Sequence, residues 1–173
     1  MKRALFAAAV LTFSTGFSPS AFAKDGTKMT VGLWPEWNMN SRKGFAVGAG
    51  LGFDYNLSRF FAMGLSVTAS HNFTAFTATE PAAMFRWYLL GKSRGLFAQA
   101  DAGAYLYMEN EQTIPVFMGG LRTGFRLPLG RSFYIEPYGR AGYPFAFGIG
   151  AAAGMRFLPA EKDVNKISKR HKL

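Results

Sequence analysis

From residue 44 to 55 the odd positions are Phe45, Val47, Ala49, Leu51, Phe53 and Tyr55, and the even ones are Gly44, Ala46, Gly48, Gly50, Gly52 and Asp54. Successive side chains of a strand point to opposite faces, so this alternation is a strand with one apolar face. The other face is what constrains the chain most. A strand of a soluble sandwich turns its apolar side chains to a core and Lys, Glu or Thr to water, whereas here the second face is glycine and other small residues. Such strands suit a barrel whose apolar face meets lipid and whose small and polar face lines a narrow interior, where long side chains need glycine neighbours for room.

The same period runs through 61–70, 83–89, 96–105, 117–127, 133–140 and 147–157, and more weakly through 29–37. The chain therefore reads as all-β, an eight-stranded antiparallel up-and-down transmembrane β-barrel, with strands of the length a bilayer requires. Composition agrees: 49% of the residues are hydrophobic and only 17% charged, below the usual quarter. No run of 18 apolar residues occurs, so a spanning helix is not expected. The connections 56–58, 91–94 and 128–131 read as tight turns, and 37–43, 71–79, 108–115 and 142–146 as longer loops. Short periplasmic turns and longer outer loops are the barrel rule, and an even strand number then places both termini in the periplasm.

Before the barrel, Lys2 and Arg3 precede an apolar stretch over 4–13, and Ala21, Phe22 and Ala23 put small residues where a signal peptidase reads. Residues 1–23 are expected to be a secretory signal peptide, leaving 24–157 as an outer-membrane barrel. The chain has no cysteine, so neither disulfides nor a lipoprotein anchor is expected. Residues 158–173 break the period and carry Lys162, Lys166, Lys169, Arg170, His171 and Lys172 against Glu161 and Asp163. They read as a basic, disordered periplasmic tail that solvates and insulates the barrel end, the alternative being attraction to anionic headgroups or wall polymers.

Alternating strands rich in Gly and aromatic residues, ending in Gly148-Ile149-Gly150-Ala151-Ala152-Ala153-Gly154-Met155-Arg156-Phe157, resemble the small outer-membrane β-barrel superfamily of OmpA transmembrane domain, OmpX and OmpW type. The stretch 81–105, with Arg86-Trp87-Tyr88 before a tight turn and Ala102-Gly103-Ala104-Tyr105 after it, is similar to that group's central hairpin. The resemblance implies that Phe157, a terminal aromatic on the last strand, is part of the signal read by the outer-membrane assembly machinery. It also implies, through the OmpW branch, a channel for small or hydrophobic solutes, for which Tyr105, Tyr107 and Met118 are the upper-lumen lining residues.

Charged residues on the inner face are the candidate site. Arg86, Asp101, Arg122 and Glu136 are expected inward near mid-height as a charged ring, with Arg140 above it and Asp54, Arg126 and Arg156 below. Buried charges need partners. A plugged barrel held by an ion-pair network is one reading; a narrow anion-preferring pore, suggested by the inner excess of arginine, is another. Pro137 must break one ladder hydrogen bond and marks a bulge, a shortened strand or a gap. Phe45, Phe61, Phe97, Phe117, Phe133, Phe147 and Phe157 are expected outward near strand ends, with Trp34 and Trp37 near the first loop, as interfacial girdles.

Enzymatic function is not expected. His71 and His171 are the two histidines, and His71 has no serine two residues on to make a nucleophile and base. Metal ligands are too few for zinc, no cofactor is called for, and the glycine spacings open no helix. Export removes nucleic acid as a partner. The expected partners are outer-membrane lipids, the assembly machinery and small solutes. The expected function is a monomeric structural or surface-exposed barrel with at most a narrow pore; the alternatives are the solute channel and an adhesin acting through loops such as 72–79.

Overall fold

A computed structural model describes residues 28–40, 44–72, 76–91, 93–109 and 112–157. The expected signal peptide and basic tail lie outside these residues. Eight strands follow in chain order: β1 Met29–Asn40, β2 Gly44–Asn56, β3 Phe61–Asn72, β4 Phe76–Tyr88, β5 Gly95–Glu109, β6 Gln112–Leu129, β7 Phe133–Tyr143 and β8 Phe145–Phe157. Each pairs antiparallel with its sequence neighbours, and β8 closes on β1 from Met29 opposite Phe157 to Asn40 opposite Phe145. The sheet is thus a closed up-and-down barrel with no open edge, the condition for β-structure in lipid.

Alternation has the expected sense. On β2, Ala46, Asp54 and Asn56 are buried while Phe45, Leu51 and Phe53 are exposed. Around the wall Leu33, Trp37, Phe45, Leu65, Phe117 and Leu121 are each more than 60% exposed, an apolar outer surface far larger than a water-soluble monomer carries.

The connections do not have the expected lengths. At the end where Met29 and Phe157 lie, hereafter the terminal end, the strands are joined by 57–60, 89–94 and 130–132. At the distal end the joins are 41–43, 73–75, 110–111 and Pro144 alone. What read as long outer loops is mostly strand, because the outward face there carries Thr77 and Thr79 in place of large apolar residues. Loop length therefore gives no orientation. The terminal end is also stitched by side chains. Ser58 Oγ accepts from the Phe60 and Phe61 amides, and Ser93 Oγ donates to Asn56 Oδ1 at 2.8 Å.

Two aromatic placements differ from expectation. Phe97 is 1% exposed and Trp34 6%; both point into the lumen, because Phe97 shares its face with Gln99 and Asp101, and Trp34 with Thr30 and Glu36. Phe145 is also inward, since the β1–β8 register shifts between Met39 and Asn40 and the extra residue, Ala146, turns it over.

Pro137 neither shortens β7 nor adds a bulge. The β6–β7 ladder skips opposite Pro137 and Glu136 and resumes at Leu127 and Ile135 in the same register. Pro81 in the β4–β5 ladder and Pro35 in the β1–β8 ladder do the same. All three are outward-facing residues at which one missing N–H is the whole defect.

Candidate functional site

The lumen is filled from the terminal end upward in three layers. In the lowest, β2, β4, β6 and β7 present Asp54, Arg86, Arg126 and Glu136. Glu136 Oε2 accepts from Arg126 Nε at 2.6 Å and from Arg86 Nη1 at 3.0 Å. Asp54 Oδ2 accepts from Arg126 Nη2 at 3.2 Å and lies 3.7 Å from Arg86 Nη1. Two guanidiniums and two carboxylates thus neutralise one another. The guanidinium of Arg126 lies 4.2 Å from the Tyr134 ring centre and that of Arg86 4.4 Å from that of Phe97, within cation–π range.

Mid-height is reached through Gln99, which sequence reasoning did not single out. Its Oε1 accepts from Arg86 Nε at 2.7 Å and its Nε2 donates to Asp101 Oδ1 at 2.6 Å. Asp101 in turn pairs with Arg122 at 3.7 Å. The expected ring of Arg86, Asp101, Arg122 and Glu136 is therefore a chain, Glu136 to Arg86 to Gln99 to Asp101 to Arg122, because Arg86 reaches down to Glu136 and an amide bridges the step between. Arg122 lies between the rings of Trp34 at 5.1 Å and Tyr138 at 4.5 Å.

Above this, Arg140 donates from Nη1 to Glu36 Oε1 at 2.7 Å and from Nη2 to Glu80 Oε2 at 2.5 Å. Glu36 also accepts from Asn38 at 2.6 Å and from the Tyr138 hydroxyl at 2.9 Å. The Phe145 ring centre is 3.6 Å from the Arg140 guanidinium. Phe145 begins an apolar cap with Ala78, Ala82, Tyr105 and Met118, against which Tyr107 and Val116 pack. The expected upper-lumen trio of Tyr105, Tyr107 and Met118 is thus gathered here, packed on itself.

Arg156 stands apart. Its Nη2 donates to the carbonyls of Gly130 and Arg131 at 2.9 and 3.0 Å, so it caps the β6–β7 turn and joins no ion pair of the layers above.

Glu36 and Glu80 were missed, and they change the charge balance. Four buried arginines, Arg86, Arg122, Arg126 and Arg140, face five buried carboxylates, Glu36, Asp54, Glu80, Asp101 and Glu136. The positive excess that suggested an anion-preferring pore is absent among the described residues. Both acids were legible: Glu36 follows Trp34 by two on β1, and Glu80 precedes Ala82, Met84 and Arg86 by the same step.

The glycines of β1, β2 and β8 make the space for these side chains. A Cβ at Gly50 or Gly52 would run into the Trp34 indole, one at Gly32 or Gly154 into Tyr134, and one at Gly150 into Tyr138. Among Trp34, Asp54, Arg86, Arg122, Arg126, Tyr134 and Glu136 the remaining cavity is about 10 Å³, room for about one water. At the height of these residues a solute could pass only by parting the ion pairs.

Outside the lumen, His71 Nδ1 lies 3.1 Å from Thr77 Oγ1 on the outer face near the distal end. Among the described residues no three His, Cys, Asp or Glu are grouped to hold a metal ion.

The sequence matches no protein-family model and no curated protein. Solved structures do match. The N-terminal β-barrel domain of Pseudomonas aeruginosa OprF superposes with a TM-score of 0.51 at 14% identity, over 76% of this chain and 98% of that one. Neisserial surface protein A superposes with a TM-score of 0.57 at 12% identity, over 76% of this chain and 97% of that one. The fold is that of the small eight-stranded outer-membrane barrels.

Proposed function

We propose that this chain is an integral protein of a bacterial outer membrane, a structural or surface-exposed barrel whose lumen is sealed. The observation that carries the reading is the interior itself: three layers of paired charges and stacked rings, the lower two enclosing a cavity with space for about one water. The apolar wall and the fold shared with OprF and Neisserial surface protein A support the membrane. In this reading residues 1–23 direct export and are removed, both termini are periplasmic, the barrel is a monomer, and Phe157 contributes to the signal that the assembly machinery reads. No catalytic step is assigned to it.

The test is single-channel conductance of the refolded mature protein in a planar bilayer, with circular dichroism and heat-modifiable gel mobility establishing that the barrel has formed. A folded, silent barrel is expected. Discrete openings that grow in Arg122→Ala would replace this reading with a narrow pore.

One observation favours a second reading, a channel for hydrophobic solutes: the cap of Tyr105, Met118 and Phe145 makes the distal lumen apolar. In that reading a hydrophobic fluorophore binds the folded protein, and Met118→Ser weakens its binding severalfold. Equal binding by both proteins would remove it.

A further inference from the structure

The terminal end carries a ring of positive charge that the lumen does not use. Each of the three connections there contributes an exposed arginine, Arg59 in 57–60, Arg94 in 89–94 and Arg131 in 130–132, and Lys28 is exposed just before β1. Because these connections alternate with strand pairs around the barrel, the cations are spread around the circumference and not gathered on one side. Among the described residues, neither the connections nor the strand ends at this rim bear an exposed acid; Asp54, the nearest carboxylate, is buried in the lumen and paired with Arg126. The distal end differs. In sequence, Arg42 and Lys43 lie between β1 and β2, and Glu109 and Glu111 lie at and just after the end of β5.

The second observation is what lies beside each cation. Leu89 and Leu90, 46 and 69% exposed, share the connection that carries Arg94; Trp87, 48% exposed on the outer wall, lies opposite Phe61, two residues from Arg59; and Leu129 and Phe133 flank Arg131 at 50 and 55%. The Arg59 guanidinium lies 4.6 Å from the Phe60 ring centre. Cations immediately beyond an apolar and aromatic band stand at headgroup depth, where a lipid can put its phosphate on the guanidinium and its acyl chain on the band. A soluble polyanion would use the charge but not the band.

Resting on the membrane reading above, we propose that this rim is a binding surface for anionic phospholipid, a glycerophosphate headgroup such as that of phosphatidylglycerol, in the leaflet where the chain termini emerge. The barrel is held at that leaflet by several arginine–phosphate contacts around its circumference, each weak alone and screened by salt.

Trp87 is a reporter at the rim, and Trp37, 61% exposed on β1 near the distal end, is its counterpart. Mature protein is refolded into vesicles of equal phosphatidylglycerol and phosphatidylcholine in which only one lipid is brominated. Quenching is read in W37F for Trp87 and in W87F for Trp37, and the W37F/W87F double variant gives the lumen contribution of Trp34. Brominated phosphatidylglycerol is expected to quench Trp87 about threefold more than brominated phosphatidylcholine, with a smaller preference at Trp37. The preference at Trp87 should vanish in 0.5 M salt, about a 4 Å screening length, and in R59Q/R94Q/R131Q. Equal quenching of Trp87 by the two lipids, or a preference that survives the triple substitution, overturns the proposal. A protein that does not fold into either vesicle, read by heat-modifiable mobility, overturns the membrane reading instead, so the two failures are distinct. If the triple variant alone fails to fold, R59Q, two residues from the Phe61 that lies opposite Trp87, serves in its place, with the preference expected to fall by about half.

Discussion

Toward the chain termini the lumen is filled by Arg86, Arg126, Asp54 and Glu136, each carboxylate shared between both arginines. Toward the distal mouth it is filled by Ala78, Ala82, Tyr105, Met118 and Phe145, with Arg140 beneath them between Glu36 and Glu80. The two closures exclude water by different means. An ion-pair layer is directional, and a slip of one residue between neighbouring strands would turn its charges into lipid, so it specifies register as well as filling space. An apolar cap is specified by volume alone and can repack. A barrel closed at one end by charge and at the other by shape has one mouth that is costly to open and one that is not.

The sharpest way to break this contrast is to remove a carboxylate from the lower layer. Glu136→Ala leaves Arg86 and Arg126 to share Asp54 alone, in a space that holds about one water. Breaking a buried pair in this way costs about 3–5 kcal/mol, read as loss of stability to urea in a bilayer and as a lower temperature of heat-modifiable gel shift. A loss under 1 kcal/mol would mean that water already reaches the layer.

Arg140→Met in the upper layer is expected to cost less, about 2 kcal/mol. Glu36 keeps donors in Asn38 and the Tyr138 hydroxyl; Glu80 loses its described ion-pair partner but, unlike a guanidinium, becomes neutral by taking up a proton; and the methionine extends the apolar cap. Equal losses for Arg140→Met and Glu136→Ala in the same urea titration would erase the distinction between the two closures.

Space makes the next comparison. Gly64 on β3 faces the lumen beside Asp54 and Met84, and a Cβ there would meet the Phe53 carbonyl oxygen, a backbone atom with nowhere to go. Gly64→Ala is expected to destabilise by about 1–2 kcal/mol. Gly139→Ala on the lipid face of β7, where the nearest atom to a new Cβ is at 3.9 Å, should be neutral within about 0.5 kcal/mol.

Strand number and inward face were readable because a closed sheet fixes the alternation for its whole length, and Gly48, Gly50 and Gly52 show by their size which face is confined. Strand ends were not readable, since the apolar signal comes from lipid and stops before the hydrogen bonds do. That is why 71–79 passed for a loop, and with it Glu80 was lost. Glu36 was lost on β1 for a related reason: Trp34 suggested an interfacial girdle, and an aromatic side chain reads the same at a membrane interface as in a lumen full of cations. Phe97 misled in the same way. The partners of Arg86 could not be read at all, because strand stagger sets which charges share a height, and Gln99 bridges a gap that alternation does not reveal.

The smallest expected effect tests whether the layers are separate. Asp54 touches only the lower arginines and Glu80 only Arg140 among the ion pairs described, while the chain of hydrogen bonds from the lower layer runs through Gln99 to Asp101 and ends at an Arg122 contact of 3.7 Å, too long for a strong hydrogen bond. Asp54→Asn and Glu80→Gln should each destabilise, and the double variant should lose the sum to within about 0.5 kcal/mol. A coupling of more than about 1 kcal/mol would mean that Arg122 transmits the loss of one carboxylate to the other layer, so that the lumen responds as a single unit. Repeating the cycle with Gln99→Leu then decides the route: coupling that disappears runs through the amide, and coupling that remains runs through the Trp34 and Tyr138 rings that hold the Arg122 guanidinium between them.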